Sequence, residues 1–205
     1  MSAGWLREDQ PDVAIQKILE AAEKAFIEHG VSGAGMGKIA EAAGCSRGTL
    51  YRYFPNRHDL HVAFVDRAAL RIVERVREQA RRQAEPSPDP TKRLTEFLLA
   101  SVGEVRRDPA TAAWFTPGTA GAAARMGRSS EVTESLATAF VARLLGMGGE
   151  DPDSRLRARW CIRIVISLLV QPGESEAEER ALVERFVAPT LVAQPTPRGW
   201  QSDED

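Results

Sequence analysis

The chain is poor in cysteine: Cys45 and Cys161 are the only two in 205 residues, far apart and with no framework spacing around them. That excludes a disulfide scaffold and reads as two buried thiols in a reducing compartment. Long apolar runs are missing too. The most apolar stretch, Cys161 to Val170, contains Arg163 and falls well short of the roughly 20 residues a membrane-spanning helix needs. The opening MSAGWLREDQPD is polar and lacks a signal-peptide pattern, so the expected location is the cytoplasm, with no membrane partner. Formal net charge is −2, which excludes a global electrostatic pull towards nucleic acid or membrane. Strand signals are almost absent and no repeat is evident. There is no glycine-rich phosphate loop, nucleophile elbow or metalloprotease motif, which argues against an enzyme. Of three histidines, His58 and His61 could share a helix face, but a metal site would need further ligands nearby. No cofactor and no metal are expected.

What the chain does have is helix punctuation, and the expected fold is all-α with about nine helices. Ile15, Ile18, Leu19, Ala22, Ala25 and Phe26 recur at helical spacing and run to Gly30. A short helix over 35–43 is stopped by Gly44, and another over 46–53 is stopped by Pro55. Asn56, with Asp59 three residues on, forms a capping-box pattern for a fourth helix reaching about Gln83. Three Asp-Pro pairs, at 89–90, 108–109 and 151–152, each place an N-cap before a proline pre-set for the first helical position. They predict helices over 90–107, 109–115 and 152–171, joined by helices over 131–145 and 175–192. Pro189 should kink or end the last. The Gly/Ala-rich stretch 116–130 predicts a short helix at best and a mobile segment. The tail 194–205 reads as disordered.

The stretch that points to function is AAGCSRGTLYRYF, residues 42–54. Helix, glycine-containing turn, helix is the helix-turn-helix pattern, whose second helix enters the DNA major groove N-terminus first. Ser46 caps that helix, and the exposed N–H groups there can meet a phosphate. Arg47 opens it with a donor fork that suits guanine O6 and N7. Gly48 permits close approach, and Thr49 offers a hydroxyl and a methyl. Tyr51, Arg52, Tyr53 and Arg57 can reach phosphates, as can Lys38 on the supporting helix, while Leu50 and Phe54 turn inward. Between Lys38 and Arg82 ten basic residues stand against five acidic ones, an excess of five inside a net acidic chain. The competing reading is a capped, solvated helix with half-buried tyrosines.

KIAEAAGCSRGTLYRYFPNRHDL closely resembles the signature of the tetracycline-repressor (TetR) family of bacterial transcriptional regulators. The resemblance is strong over residues 12 to about 66. Beyond that it is architectural: helix count, chain length and the closing pattern ISLLVQPG…RFVAPTL. It implies a DNA-binding head (1–56), a helical ligand-binding and dimerisation body (57–193, joined through the fourth helix) and a homodimer built on the last two helices. The implied DNA partner is an inverted-repeat operator read through Arg47, Gly48, Thr49, Tyr51, Arg52 and Tyr53, with Lys38 and Arg57 at phosphate-contacting positions. Where the family usually has a capping, phosphate-touching threonine this chain has Met36, which can do neither.

The family's mechanism implies a small effector, on composition mostly apolar, that binds one arrangement of the two heads better than the other. Large apolar residues of the middle helices are candidates for its pocket: Phe97, Val102, Trp114, Phe115, Met126, Phe140 and Trp160. A filled core explains each of them as well. Trp160 again, with Ile164, Leu168, Leu182, Phe186, Val187 and Leu191, is a candidate for a four-helix dimer interface, with burial inside one subunit as the competing explanation. A helix-turn-helix protein with no small-molecule effector, and more remotely an all-α enzyme, remain as alternative functions.

Overall fold

A computed structural model describes residues 11–82, 87–116, 118, 119, 121, 130–148 and 151–193, and every regular element among them is helical. In order they are α1 (Pro11–Gly33), α2 (Met36–Ala43), α3 (Arg47–Tyr53), α4 (Arg57–Arg82), α5 (Pro90–Arg107), α6 (Pro109–Ala112) with a 3-10 continuation (Ala113–Phe115), α7 (Glu131–Leu145), α8 (Pro152–Val170), α9 (Glu176–Leu182), a π turn (Val183–Val187) and α10 (Ala188–Val192). Taking α9 to α10 as one interrupted helix, the described residues hold nine. The expected all-α class therefore stands. Met126 and the tail 194–205 lie outside the described residues, as does most of the stretch 116–130.

The caps that define these helices are those the sequence spelled. Asn56 Oδ1 accepts from the Asp59 amide, and its Nδ2 donates back to Asp59 Oδ2, each at 2.9 Å. Asp89, Asp108 and Asp151 accept from the amides of Thr91, of Ala110 and Thr111, and of Asp153. Gly44 closes α2 in the left-handed conformation (φ 67°), where a side chain would be strained, with Cys45 N–H bonded to Ala40 O. Gly30, at φ 68°, breaks α1 where its apolar pattern runs out, and Val31–Gly33 add one further turn.

The last helix is disturbed before Pro189, as expected of a kink or an end there. Rather than ending, it widens: Ala188 N–H bonds to Val183 O, five residues back, one turn ahead of Pro189. Proline in a regular helix clashes with the carbonyl four residues earlier, and a π turn relieves that contact without ending the helix. Arg157 of α8 then closes the end of α10 by donating to the carbonyls of Leu191 and, at 2.8 Å, of Ala193.

Two apolar cores result. The first joins Ile18, Ala22 and Phe26 of α1 to Ile39, Leu50, Phe54, Leu60 and Phe64. The second packs α5 against α7, α8 and α10 through Leu94, Leu98, Val102, Val141, Ala158 and Leu191. A two-pronged ion pair pins its rim: Arg106 donates to both Glu179 oxygens, at 2.8 and 2.7 Å, and to Leu168 O. The cores meet at Phe115, which packs against both, and its neighbour Trp114 is buried in the first.

Candidate nucleic-acid interface and internal cavity

The turn between α2 and α3 presents α3 end-on. Ser46 Oγ accepts from the Thr49 amide at 3.0 Å and lies 2.9 Å from the Thr49 hydroxyl, so one orphan donor of the first turn is satisfied and Thr49 is held in place. Leu50 and Phe54 are buried and anchor the helix from beneath. Arg47, Gly48, Tyr51 and Arg52 face outward, and Thr49 and Tyr53 are half-exposed. The Arg47 guanidinium lies over the start of α2, where a Cβ added at Gly37 would stand 3.7 Å from it. Arg52 stacks its guanidinium over the Tyr53 ring, 5.2 Å from the centroid, and donates to its hydroxyl at 3.4 Å. Lys38 is exposed beside them on α2. Gly35 is the N-cap of α2 and offers no side-chain acceptor; Met36, at the first helical position, is buried in the head core.

Gly48 is informative. A methyl group there would meet nothing nearer than Ser46 Oγ at 3.7 Å, an ordinary contact, and its φ is not in the left-handed region. The fold does not require glycine at that position.

Arg57 corrects the sequence reading. It was expected to reach phosphate, but its guanidinium donates to the carbonyls of Val31 and Ser32, at 3.2 Å for the second, and through Nε to His61 Nε2 at 3.3 Å. The turn after Gly30 leaves carbonyls exposed at the end of α1, and Arg57 satisfies them. It acts as a clasp inside the head.

Behind the clasp lies the joint between the two cores. The Trp114 ring stacks on Phe64 (5.8 Å between centroids, 11°) and meets Phe26 and His61 edge-on at 5.6 and 4.8 Å. His61 is nearly buried here, and burial pushes its pKa down to about 4, helped by the charges of Arg57 and His58. Alongside runs an ion network: Glu23 of α1 holds Arg67 at 2.8 Å and Arg71 at 2.6 Å, both of α4, and Arg71 reaches Asp108 at 3.7 Å. Head, fourth helix and the α5–α6 corner are thereby tied. Sequence reasoning missed this network; the clue was three charged residues on inward-facing helix positions, which pattern alone cannot tell from a solvated stripe.

Beside Trp114 opens a cavity of ≈170 Å³. Its walls come from α4 (Phe64, Val65, Ala68, Ala69, Ile72, Val73), α5 (Phe97, Leu98, Ser101), the Trp114–Phe115 turn, α7 (Leu136, Ala137) and α8 (Cys161, Val165, Ile166). Of the predicted pocket residues, Phe97, Trp114 and Phe115 line it. Phe140 does not reach it but stacks on Phe97, 3.6 Å between centroids. Val102 is elsewhere in the core, fully buried. Trp160 is corrected outright: it stands on the outer face of α8, 45% exposed, because Ala158, Cys161 and Val165 occupy the inner face. Burial raises the Cys161 thiol pKa to about 12. Among the described residues no group of three or more His, Cys, Asp or Glu could hold a metal ion, and no helix is long and apolar enough to cross a membrane.

The predicted dimer residues divide. Leu168 and Leu191 are buried inside the subunit, and Ile164 and Val187 pack partly on the same core. For these four, helical phase sets the side chain inward. Leu182 and Phe186 point outward, Phe186 with 71% of its surface exposed, and Leu156 joins Trp160 on the outer face of α8.

Comparison with known proteins places this geometry. The family model described as "Bacterial regulatory proteins, tetR family" matches residues 18–64, the span from α1 into α4. An uncharacterised HTH-type transcriptional regulator of Mycobacterium tuberculosis is 40% identical over 92% of this chain and 90% of its own length. The HTH-type transcriptional repressor AcnR of Corynebacterium glutamicum is 39% identical over 34% of this chain and 37% of its own. The solved structure of RolR in complex with resorcinol has the same fold, with a TM-score of 0.66 at 20% identity over 93% of this chain and 98% of that one. The buried Leu50–Phe54 anchor, the Ser46-capped helix it holds outward and the full-length likeness agree: the chain belongs to the tetR family of bacterial regulatory proteins, and it is a DNA-binding transcriptional regulator, not an enzyme.

Proposed function

We propose that the protein is a homodimeric repressor that leaves an inverted-repeat operator when a small, mostly apolar effector fills the ≈170 Å³ cavity. The head, residues 1–56, reads the operator: Arg47, Gly48 and Thr49 meet base edges, and Lys38, Ser46, Tyr51, Arg52 and Tyr53 meet the backbone. The body, residues 57–193, carries the cavity and the dimer contact. The protein works in the cytoplasm, where its DNA is.

One observation carries the effector reading. The cavity and the head share walls: Phe64 and Trp114 line the first and belong to the core of the second. A ligand that prefers one placement of α4 therefore acts on the head through packed rings and the Glu23–Arg67–Arg71 network. Two recognition helices must sit about 34 Å apart to enter successive major grooves, so a small shift of α4 is enough to break the fit. RolR, solved with resorcinol bound, supports a small-molecule pocket in this fold. The exposed Leu156, Trp160, Leu182 and Phe186 support an apolar two-fold contact across α8 and α9.

The test is selection of binding sites from a random duplex library, followed by fluorescence anisotropy against a shuffled duplex at two salt concentrations. The expected result is an enriched inverted repeat bound about 10³-fold or more tightly than the control. Equal, salt-sensitive binding to both duplexes refutes sequence-specific reading; an enriched site without two-fold symmetry refutes the homodimer.

A further inference from the structure

The fold explains Gly37 no better than Gly48. Gly37 lies in the first turn of α2, a helix that glycine weakens. Its φ is not in the left-handed region, so the backbone would accept a residue with a side chain. Its neighbour in space is Arg47: a Cβ at position 37 would stand 3.7 Å from the Arg47 Cζ and Nε and 3.9 Å from Nη2. Those are ordinary contacts, so a bare methyl group fits. A longer side chain does not, because its next carbon lies about 1.5 Å further out and the guanidinium must then move. The missing side chain forms a seat across the start of α2, and α3 places the arginine in it. Ser46 Oγ, held on the Thr49 amide at 3.0 Å, fixes where the Arg47 backbone begins. No charge locks the arginine there. The first turn of α2 carries no acidic residue, Lys38 follows Gly37, and the positive end of the helix dipole lies beneath. A cation held by packing and repelled by charge stays available to acceptors presented from outside.

We infer that Gly37 is a specificity-determining position: by leaving room across the start of α2, it sets the direction in which Arg47 enters the groove and so which base pair the arginine reads. The inference rests on the base-reading role given to Arg47 above. Two helices then act on one base pair, α3 with the guanidinium and α2 with the space. A guanidinium grips guanine through two parallel bonds, to O6 and N7, so turning its plane breaks one of them even while the side chain stays in the groove. A side chain at position 37 therefore acts on a single base pair. Loss of a phosphate contact acts on all sequences alike.

The test uses the full-length protein, the duplex selected above and a set of single base-pair variants across one half-site, all read by fluorescence anisotropy. Arg47→Ala first locates the position whose base preference relaxes. Gly37→Leu should cut the preference at that same position by about tenfold or more, with the circular dichroism spectrum unchanged and the other positions within about twofold of wild type. In the Arg47→Ala background Gly37→Leu should add no further loss there, because the seat is then empty. The loss should grow with size, from Gly37→Ala to Gly37→Leu, and Gly37→Met, as long but more flexible, should act at the same position more weakly. A loss spread evenly over every duplex overturns the inference. So does a loss at a position that Arg47→Ala leaves untouched, a pair of losses that multiply in the double variant, or an alanine effect as large as that of leucine. If Gly37→Leu leaves every base preference intact, Arg47 keeps its reading role and the seat alone fails. If Arg47→Ala relaxes no position, or the selection enriches no site, the base-reading role itself fails and the seat falls with it.

Discussion

His61 makes the stability of this regulator sensitive to acid in a window that can be worked out. Its pKa falls from 6.5 to about 4 on folding, first because the ring is buried and then because Arg57 and His58 lie close. Its Nε2 accepts from Arg57, so a proton there would set donor against donor. The sign follows from proton counting. Between pH 4 and 6.5 the unfolded chain binds more protons at this site than the folded one, so stability rises with pH across that window. The contribution is complete above pH 6.5 and is lost as pH falls towards 4. At about 1.4 kcal/mol per unit, a depression of this size is worth about 3 kcal/mol, a large share of an ordinary domain's stability. The assay is urea unfolding at pH 7.0, 5.5 and 4.5, for the wild type and for His61→Leu. Other groups titrate in both proteins, so the quantity to read is the difference between their pH dependences. The wild type should lose about 2 to 3 kcal/mol more than the variant between pH 7.0 and 4.5. Parallel curves, within about 0.5 kcal/mol, would refute the argument that His61 is held neutral at the joint.

Three further perturbations separate fold from function. Gly48→Ala should stabilise the protein by about 0.5 kcal/mol, since a helix prefers alanine and the methyl meets only Ser46 Oγ, yet weaken specific DNA binding; a thermal melt and anisotropy on the selected duplex read the two effects. Arg57→Ala should lower stability by about 1 to 3 kcal/mol through the unpaired carbonyls of Val31 and Ser32, while the slope of log affinity against log salt stays at the wild-type value. Phe186→Glu places a charge on the most exposed large apolar side chain among the described residues and should convert the proposed dimer to monomer in sedimentation velocity with helicity unchanged; an unaltered sedimentation coefficient would remove that face from the interface.

Local signals made the helix ends legible in the sequence. The Asp-Pro pairs, the Asn56–Asp59 box and Gly44 each act within a few residues, and each cap forms as read. The inward turn of Leu50 and Phe54 was legible too, because α3 is short and only one of its faces can reach α1 and α2. Longer-range geometry was not legible. Whether Arg57 points to solvent or back onto α1 depends on where Gly30 aims the chain, a three-dimensional fact with no periodic trace. Trp160 and Cys161 are neighbours on one apolar helix, and only the placement of α5 and α7 decides which of them turns inward. The π turn before Pro189 was half legible: the proline forecast a disturbance, but Arg157 and the packing of Leu191 and Ala188 decided that the helix would continue.

Trp114 belongs to two structures at once, and this constrains how the proposed sensor can be retuned. A substitution there that reshaped the cavity would also remove a ring from the head, altering stability and DNA reading together with ligand choice. The opposite wall is under no such double duty. Leu136 and Ala137 on α7, with Ile162, Val165 and Ile166 on α8, line the same space without entering the core of the head. Under the proposed effector reading, ligand choice has a permissive side and a restricted side, and a library meant to change it should diversify the α7–α8 wall and leave the tryptophan alone.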